Sequence, residues 1–266
     1  MVESSRPVVV ELAGAPGAGK TTLMPAVIAA CRDQGFRPYT VTGAARPFAA
    51  RTPGGRIVAR WPEPVRGRAL WALFVCMRAI HLVGFALGHA HLSSHVVVTQ
   101  LRRPPEAAAR ERRVVGWFAR LGGAYAFLTA RGGAADALVI DEGFLHRAVQ
   151  LHASEAEEPN GADVDAFVSL IPRPDVLVYV CAAVDDCLRR VEARGPWRRF
   201  QDAERKALER FVANAHATTH LAVGAARRNG WTVVDVRNAG DVASVGRCLR
   251  QRVGESLDLA AARGSR

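Results

Sequence analysis

Nine residues, GAPGAGKTT from Gly14 to Thr22, hold the clearest chemistry in the chain. Gly14, Gly19, Lys20 and Thr21 fit the pattern GxxxxGK[ST], after a β-branched run and before a helical one. Glycines let successive backbone N–H groups turn inward onto phosphate oxygens, and a helix starting near Lys20 adds its positive end. Gly14, Ala15, Pro16, Gly17, Ala18, Gly19, Lys20, Thr21 and Thr22 are therefore the expected contacts to a nucleotide's phosphates. Lys20 would reach the β- and γ-phosphates of ATP, and the Thr21 hydroxyl would ligate Mg²⁺. An incidental glycine turn is the bland alternative. It fits poorly in a chain whose only lysines are Lys20 and Lys206.

Two further constellations belong to the same chemistry. LVIDEG, Leu138 to Gly143, is an apolar run ending in acids. Asp141 at a strand end can hold Mg²⁺ with Thr21, and Glu142 then points to the acceptor side. The competing reading is a pair of acids capping the next helix. CLRRVEARGPWRRF, Cys187 to Phe200, places arginines 189, 190, 194, 198 and 199 around a Gly-Pro break. Mobile guanidiniums neutralise the charge that phosphoryl transfer spreads over equatorial oxygens, so Arg194, at the hinge, with Arg198 and Arg199, is read as a lid over 194–203. A solvated basic helix end is the alternative in so arginine-rich a chain. His146 and Arg147, in DEGFLHR, are candidate acceptor contacts or members of a helix face.

Elements able to position these groups follow from periodicity. Strands are expected at Arg6–Leu12, Arg37–Thr42, Ala137–Asp141, Asp175–Cys181 and Trp231–Val236. Helices are expected at Lys20–Asp33, Val65–Ser94, Glu106–Arg131, Phe144–Leu151, Asp163–Ile171, Val184–Arg194, Ala203–Arg228 and Asp241–Gly254. The Gly-, Pro- and Arg-rich stretch Gly43–Pro64 reads as a long loop, and the tail after Asp258 as frayed. Alternating strands and helices imply a parallel sheet covered on both faces, with ligands at the carboxyl ends of its strands.

The 266 residues are 49% hydrophobic and 23% charged, a globular composition that needs no metal or disulfide staple. The cysteines, 31, 76, 181, 187 and 248, lack CxxC spacing and read as buried free thiols of a reducing compartment. A net charge of +11 attracts polyanions, but no nucleic-acid motif accompanies it, so no specific nucleic-acid partner is expected. The first residues do not form a secretory signal, and a cytoplasmic location is expected. Ala69–Leu92 approaches span length but is interrupted by Arg78, His81, His89 and His91. It reads as a buried or amphipathic helix in preference to a span, with peripheral membrane contact as a further role.

GAPGAGKTT, LVIDEG and the run DVLVYVCA followed by VDDCLRRVEARG resemble, in order, the phosphate loop, third-strand acidic motif and fourth-strand-to-lid segment of P-loop kinases of the nucleoside and nucleotide type. The resemblance implies an α/β P-loop NTPase three-layer sandwich with a five-stranded parallel sheet of order 2-3-1-4-5. It further implies one kinase domain over 1–258, with a helical substrate-covering insertion at 43–132, an arginine lid and a frayed tail at 259–266. Asn238, in the loop after the last strand, would lie beside the nucleotide base. The implied activity is transfer of the ATP γ-phosphate, with Mg²⁺, to a small-molecule acceptor. That acceptor is nucleoside- or nucleotide-like, or another hydroxyl- or phosphate-bearing metabolite. The chain departs from the resemblance at Glu142-Gly143, where thymidylate kinases carry Arg after the Asp, and adenylate-kinase arginine motifs are not recognisable in 43–132. Catalysis would rest on Lys20, Asp141, Glu142, Arg194, Arg198 and Arg199. A P-loop NTP hydrolase that regulates a partner is the alternative, kept open by Glu142, although [NT]KxD and LSGGQ motifs are absent.

Overall fold

The computed structural model describes residues 6–101, 105–195, 197, 200 and 205–264, excepting the side chains of 105–113 and 261–264. Five strands, β1 (Val8–Ala13), β2 (Arg37–Thr40), β3 (Asp136–Ile140), β4 (Val176–Cys181) and β5 (Val233–Arg237), form one sheet of order β2-β3-β1-β4-β5. The paired strands β2–β3, β1–β4 and β4–β5 are parallel, as the α/β alternation requires. This is the order expected from the P-loop kinase resemblance.

The chain divides into two compact units. One comprises Val10–Gln34 and Asp141–Ala260. It holds most of β1, then α1 (Lys20–Asp33), α7 (Phe144–His152), α8 (Gly161–Leu170), β4, α9 (Val184–Arg194), α10 (Arg205–Arg228), β5 and α11 (Val242–Gly264). Strand β4 is a continuous apolar run, Val176 to Val180, buried on both faces. Helix α10 packs against α7, α8 and α9 through Phe211, Val212, Ala222 and Val223. Helix α11 continues past Asp258 to Gly264, where a frayed tail is expected from sequence; Leu249, Val253 and Leu257 repeat at helical spacing and bury its preceding turns.

The other unit comprises Gly35–Ile140 and the two chain ends. Here Gly43–Pro64 is not a loop: α2 (Val41–Ala50) and α3 (Pro53–Val58) occupy it. Each begins at a threonine whose hydroxyl accepts a backbone N–H, Thr40 from Gly43 and Thr52 from Gly55, both at 3.0 Å. Ala44, Ala45, Phe48 and Ala49 then bury one face of α2 against Phe74, Phe127 and Leu138. Small residues and caps outweighed the loop-like composition.

Helices α4 (Val65–Gly88), α5 (Ala90–Leu101) and α6 (Pro105–Arg131) complete this unit. The expected Val65–Ser94 helix therefore breaks at His89, which has φ −124° and ψ 47°. It is also not a buried helix. Only Gly67, Leu70, Phe74 and Phe85 of α4 are buried, while Ile80, Val83 and Leu87 are 62%, 61% and 75% exposed. Below the sheet edge, Asp136 has a fully buried carboxylate bonded by Arg51 and, at 3.0 Å, by Arg37. Among the cysteines, Cys31 and Cys187 are buried but Cys76 and Cys248 are exposed, against the expectation that all are buried. All five are free thiols.

Candidate active site

The phosphate loop leaves β1 at Ala13 and enters α1 at Lys20. Its glycines are needed where the sequence has them. Gly17 and Gly19 have φ of +82° and +97°, the left-handed region that disfavours side chains. A Cβ at Gly17 would meet the Cys187 carbonyl at 2.3 Å, and one at Gly19 would meet Asn238 Nδ2 at 2.1 Å.

Three neighbours brace this turn. Asn238 is buried after β5; its Nδ2 donates to the Ala18 carbonyl at 2.7 Å and its backbone N–H to Cys181 at 2.7 Å. Arg190, on α9, donates to the carbonyls of Gly17 at 3.2 Å, Ala18 at 3.4 Å and Asn238 at 3.4 Å. With its own carbonyls held from outside, the loop is fixed in its curl.

Lys20 is buried, and its Nζ donates to the carbonyls of Gly14 at 2.8 Å and Ala15 at 3.3 Å. Burial lowers its pKa, while the Asp141 and Glu142 carboxylates oppose that shift. Arg194 acts on the same ammonium as a like charge, which places the helix end within electrostatic range of the loop lysine. Arg194 itself is exposed at the last position of α9, before Gly195 at φ +89°. Arg198 and Arg199, with most of the expected lid, lie outside the described residues.

Asp141 follows β3 immediately. The Thr21 hydroxyl donates to its Oδ2 at 2.9 Å, and Oδ1 is buried with no hydrogen-bond partner among the described residues. A carboxylate so placed, one oxygen shared with a hydroxyl and the other unsatisfied, fits a hard cation such as Mg²⁺ held by oxygen ligands and water. Glu142 is exposed on the next residue. Arg147 secures it, donating to the Glu142 carbonyl at 3.2 Å and lying 4.0 Å from its carboxylate. Arg147 also donates to Gln150 at 2.7 Å, so its guanidinium is committed to α7 and to Glu142.

Sequence reasoning missed Glu11. This carboxylate lies inside β1, 1% exposed, and accepts the Leu145 N–H at 2.7 Å. The N–H groups of His146 and Phe144 also stabilise its charge. Glu11 thus caps α7 from a neighbouring element. A Cβ at Gly143 would meet the Glu11 carboxyl carbon at 2.2 Å, so the DEG turn closes over it only with glycine there. Desolvation nevertheless pushes the Glu11 pKa up to about 7, above the opposing bonds to α7. Its signal was a lone acid in an otherwise unbroken apolar run. His146 is buried beside this cap; desolvation first, then Lys20 and Arg147, lowers its pKa well below the usual imidazole range, so the ring is neutral. Its Nδ1 has no partner among the described residues.

No protein-family model and no curated protein sequence matches the chain. Among solved structures it is similar to deoxyadenosine kinase from M. mycoides with bound dCTP, at 12% identity over 93% of this chain and 100% of that one, with a TM-score of 0.39. The same enzyme with the products dCMP and a flexible dCDP bound gives 10% identity, coverage of 93% and 99%, and a TM-score of 0.40. Neither likeness assigns a substrate to this chain.

Proposed function

We propose that the protein is an ATP- and Mg²⁺-dependent phosphotransferase acting on a small-molecule acceptor. The observation that carries the reading is the Thr21–Asp141 hydrogen bond, which joins the end of the phosphate loop to a carboxylate with one unsatisfied buried oxygen. Loop amides and Lys20 bind the donor's phosphates. Thr21 and Asp141 hold Mg²⁺, which when bound neutralises phosphate charge and fixes the donor's orientation. Glu142, held by Arg147, orients the acceptor hydroxyl and accepts its proton. Arg194 and the ammonium of Lys20 stabilise negative charge on the transferred group, with Arg198 and Arg199 as further lid residues. The rate gain comes from positioning and fixed charge, as a loose phosphoryl-transfer transition state requires.

A second reading has its own observation: the Glu142 carboxylate is 59% exposed, so it can orient water as readily as an acceptor hydroxyl. A P-loop hydrolase would follow. ATP turnover with and without acceptor mixtures separates the two, because a transferase shows turnover that depends on acceptor and a hydrolase does not.

A further inference from the structure

The formal surplus of positive charge is confined to one part of the chain. Residues 43–131 contain 14 arginines, no lysine, no aspartate and 3 glutamates, a surplus of 11. All other residues together carry 22 basic and 22 acidic side chains and balance. The segment that holds the whole net charge is also the one that exposes α4.

The exposed side of α4 is an apolar stripe. Val65, Ala72, Cys76, Ile80, Val83 and Leu87 recur at helical spacing, and all are exposed. The stripe runs about 33 Å at 1.5 Å per residue. It bears one charge, Arg68 in the first turn, which is exposed. The opposite side is fastened into the unit: Phe74 meets Phe127 edge-on at 5.7 Å between ring centroids, and Phe85 meets Phe118 at 6.2 Å. Helix α4 is long and apolar enough to cross a bilayer, but a helix anchored along one side in this way lies on a surface instead. Preceding it, α3 and the turn that follows expose Arg56, Ile57, Arg60 and Trp61, an alternation of cations with large apolar groups.

We infer that the α3–α4 face docks on an anionic lipid bilayer. Its apolar stripe enters the headgroup–acyl boundary, Trp61 sits at the interfacial level, and Arg56, Arg60 and Arg68 meet acidic headgroups. A second copy of the chain is a poor occupant, because it would bring a second set of the exposed cations Arg56, Arg60 and Arg68 to the same interface. Nucleic acid answers the charge but not an apolar stripe about 33 Å long that carries a single cation at one end. A bilayer with acidic lipids answers both.

Flotation with vesicles tests this directly, using phosphatidylcholine alone and an about 3:1 mixture of phosphatidylcholine and phosphatidylglycerol. Wild-type protein is expected to float with the mixed vesicles and at least about tenfold less with neutral ones. Ile80→Asp/Leu87→Asp changes two exposed positions, should keep its far-ultraviolet circular dichroism, and should lose at least about tenfold in binding at low salt. Arg56→Ser/Arg60→Ser/Arg68→Ser should weaken binding and reduce its salt dependence. Lys20→Ala should float as wild type does, so the result stands apart from any kinase activity. Three results would overturn the inference. One is wild type left unbound by the mixed vesicles at low salt. Another is the double aspartate variant binding undiminished, which would leave charge alone and favour a nucleic-acid partner. The last is a stable wild-type dimer in sedimentation equilibrium that the same variant splits, which would assign the face to a second copy.

Discussion

Thr21 and Asp141 lie 120 residues apart in sequence and 2.9 Å apart in space, hydroxyl to carboxylate. The bond joins the first turn of the helix after the phosphate loop to the end of a strand whose last residues are wholly apolar. Asp141→Asn keeps the shape and removes the charge. It should lower turnover by about 10²-fold or more, with the loss largest at low Mg²⁺, while nucleotide still binds through the loop amides. Thr21→Ser should be mild and Thr21→Ala severe. Titration of activity against Mg²⁺ concentration checks both.

Asn238 braces the loop from outside, and Gly19 makes room for it. Asn238→Ala removes the 2.7 Å bond to Ala18 and leaves that carbonyl only the longer 3.4 Å bond from Arg190, at a cost of about 1 kcal/mol in unfolding free energy. It should raise KM for ATP more than it lowers kcat. Gly19→Ala meets both a left-handed backbone and the Asn238 amide, so it should be the more damaging of the two in thermal unfolding.

Glu11 gives a pH signature. Its folded pKa, about 7, lies above the ordinary 4.5, so the folded state holds the proton more tightly. Stability contributed here is present below about pH 5 and is lost as pH rises to about 7, by about 3 kcal/mol. Glu11→Gln should remove that slope. The difference between the two unfolding profiles should change between about pH 5 and 7 and be flat outside it; parallel profiles would contradict the assignment.

Asp136 is a buried carboxylate held by Arg37 and Arg51, which keep its pKa below the ordinary carboxylate value despite the opposing effect of burial. Asp136→Ala removes the buried partner of the half-buried Arg51 and the acceptor of the Gly133 N–H, which bonds the carboxylate at 2.9 Å; Arg37 is exposed enough to remain solvated. A loss of about 3 kcal/mol in denaturant unfolding is expected, with little effect on nucleotide binding.

The parts legible in sequence were those set by local pattern. Helix α1 runs from Lys20 to Asp33 and α9 from Val184 to Arg194, as periodicity and the flanking glycines dictate. Phosphate-loop spacing and the acid at the end of an apolar strand follow from the same local rules. What stayed hidden depends on distant partners. Arg190 was one of five arginines in a basic run, and only the fold shows that it holds Gly17 and Ala18. Arg147 reads from sequence as an acceptor contact or a helix-face residue, and only the fold shows its hydrogen bond to the Glu142 carbonyl. Helix α2 was masked by Gly43, Pro47 and nearby arginines, since composition does not reveal that Thr40 caps it or that Phe48 finds a pocket. The exposure of α4 was equally illegible, because a buried helix and a surface-docking one can share the same apolar sequence.

The most direct test of phosphoryl transfer to a small molecule incubates the protein with ATP, Mg²⁺ and a pooled metabolite mixture, then seeks products heavier by one phosphoryl group by mass spectrometry, with Lys20→Ala as the blank. At least one phosphorylated product should form with wild type and be absent from the blank. Release of inorganic phosphate at the same rate with and without the pool, and no phosphorylated product, would contradict it.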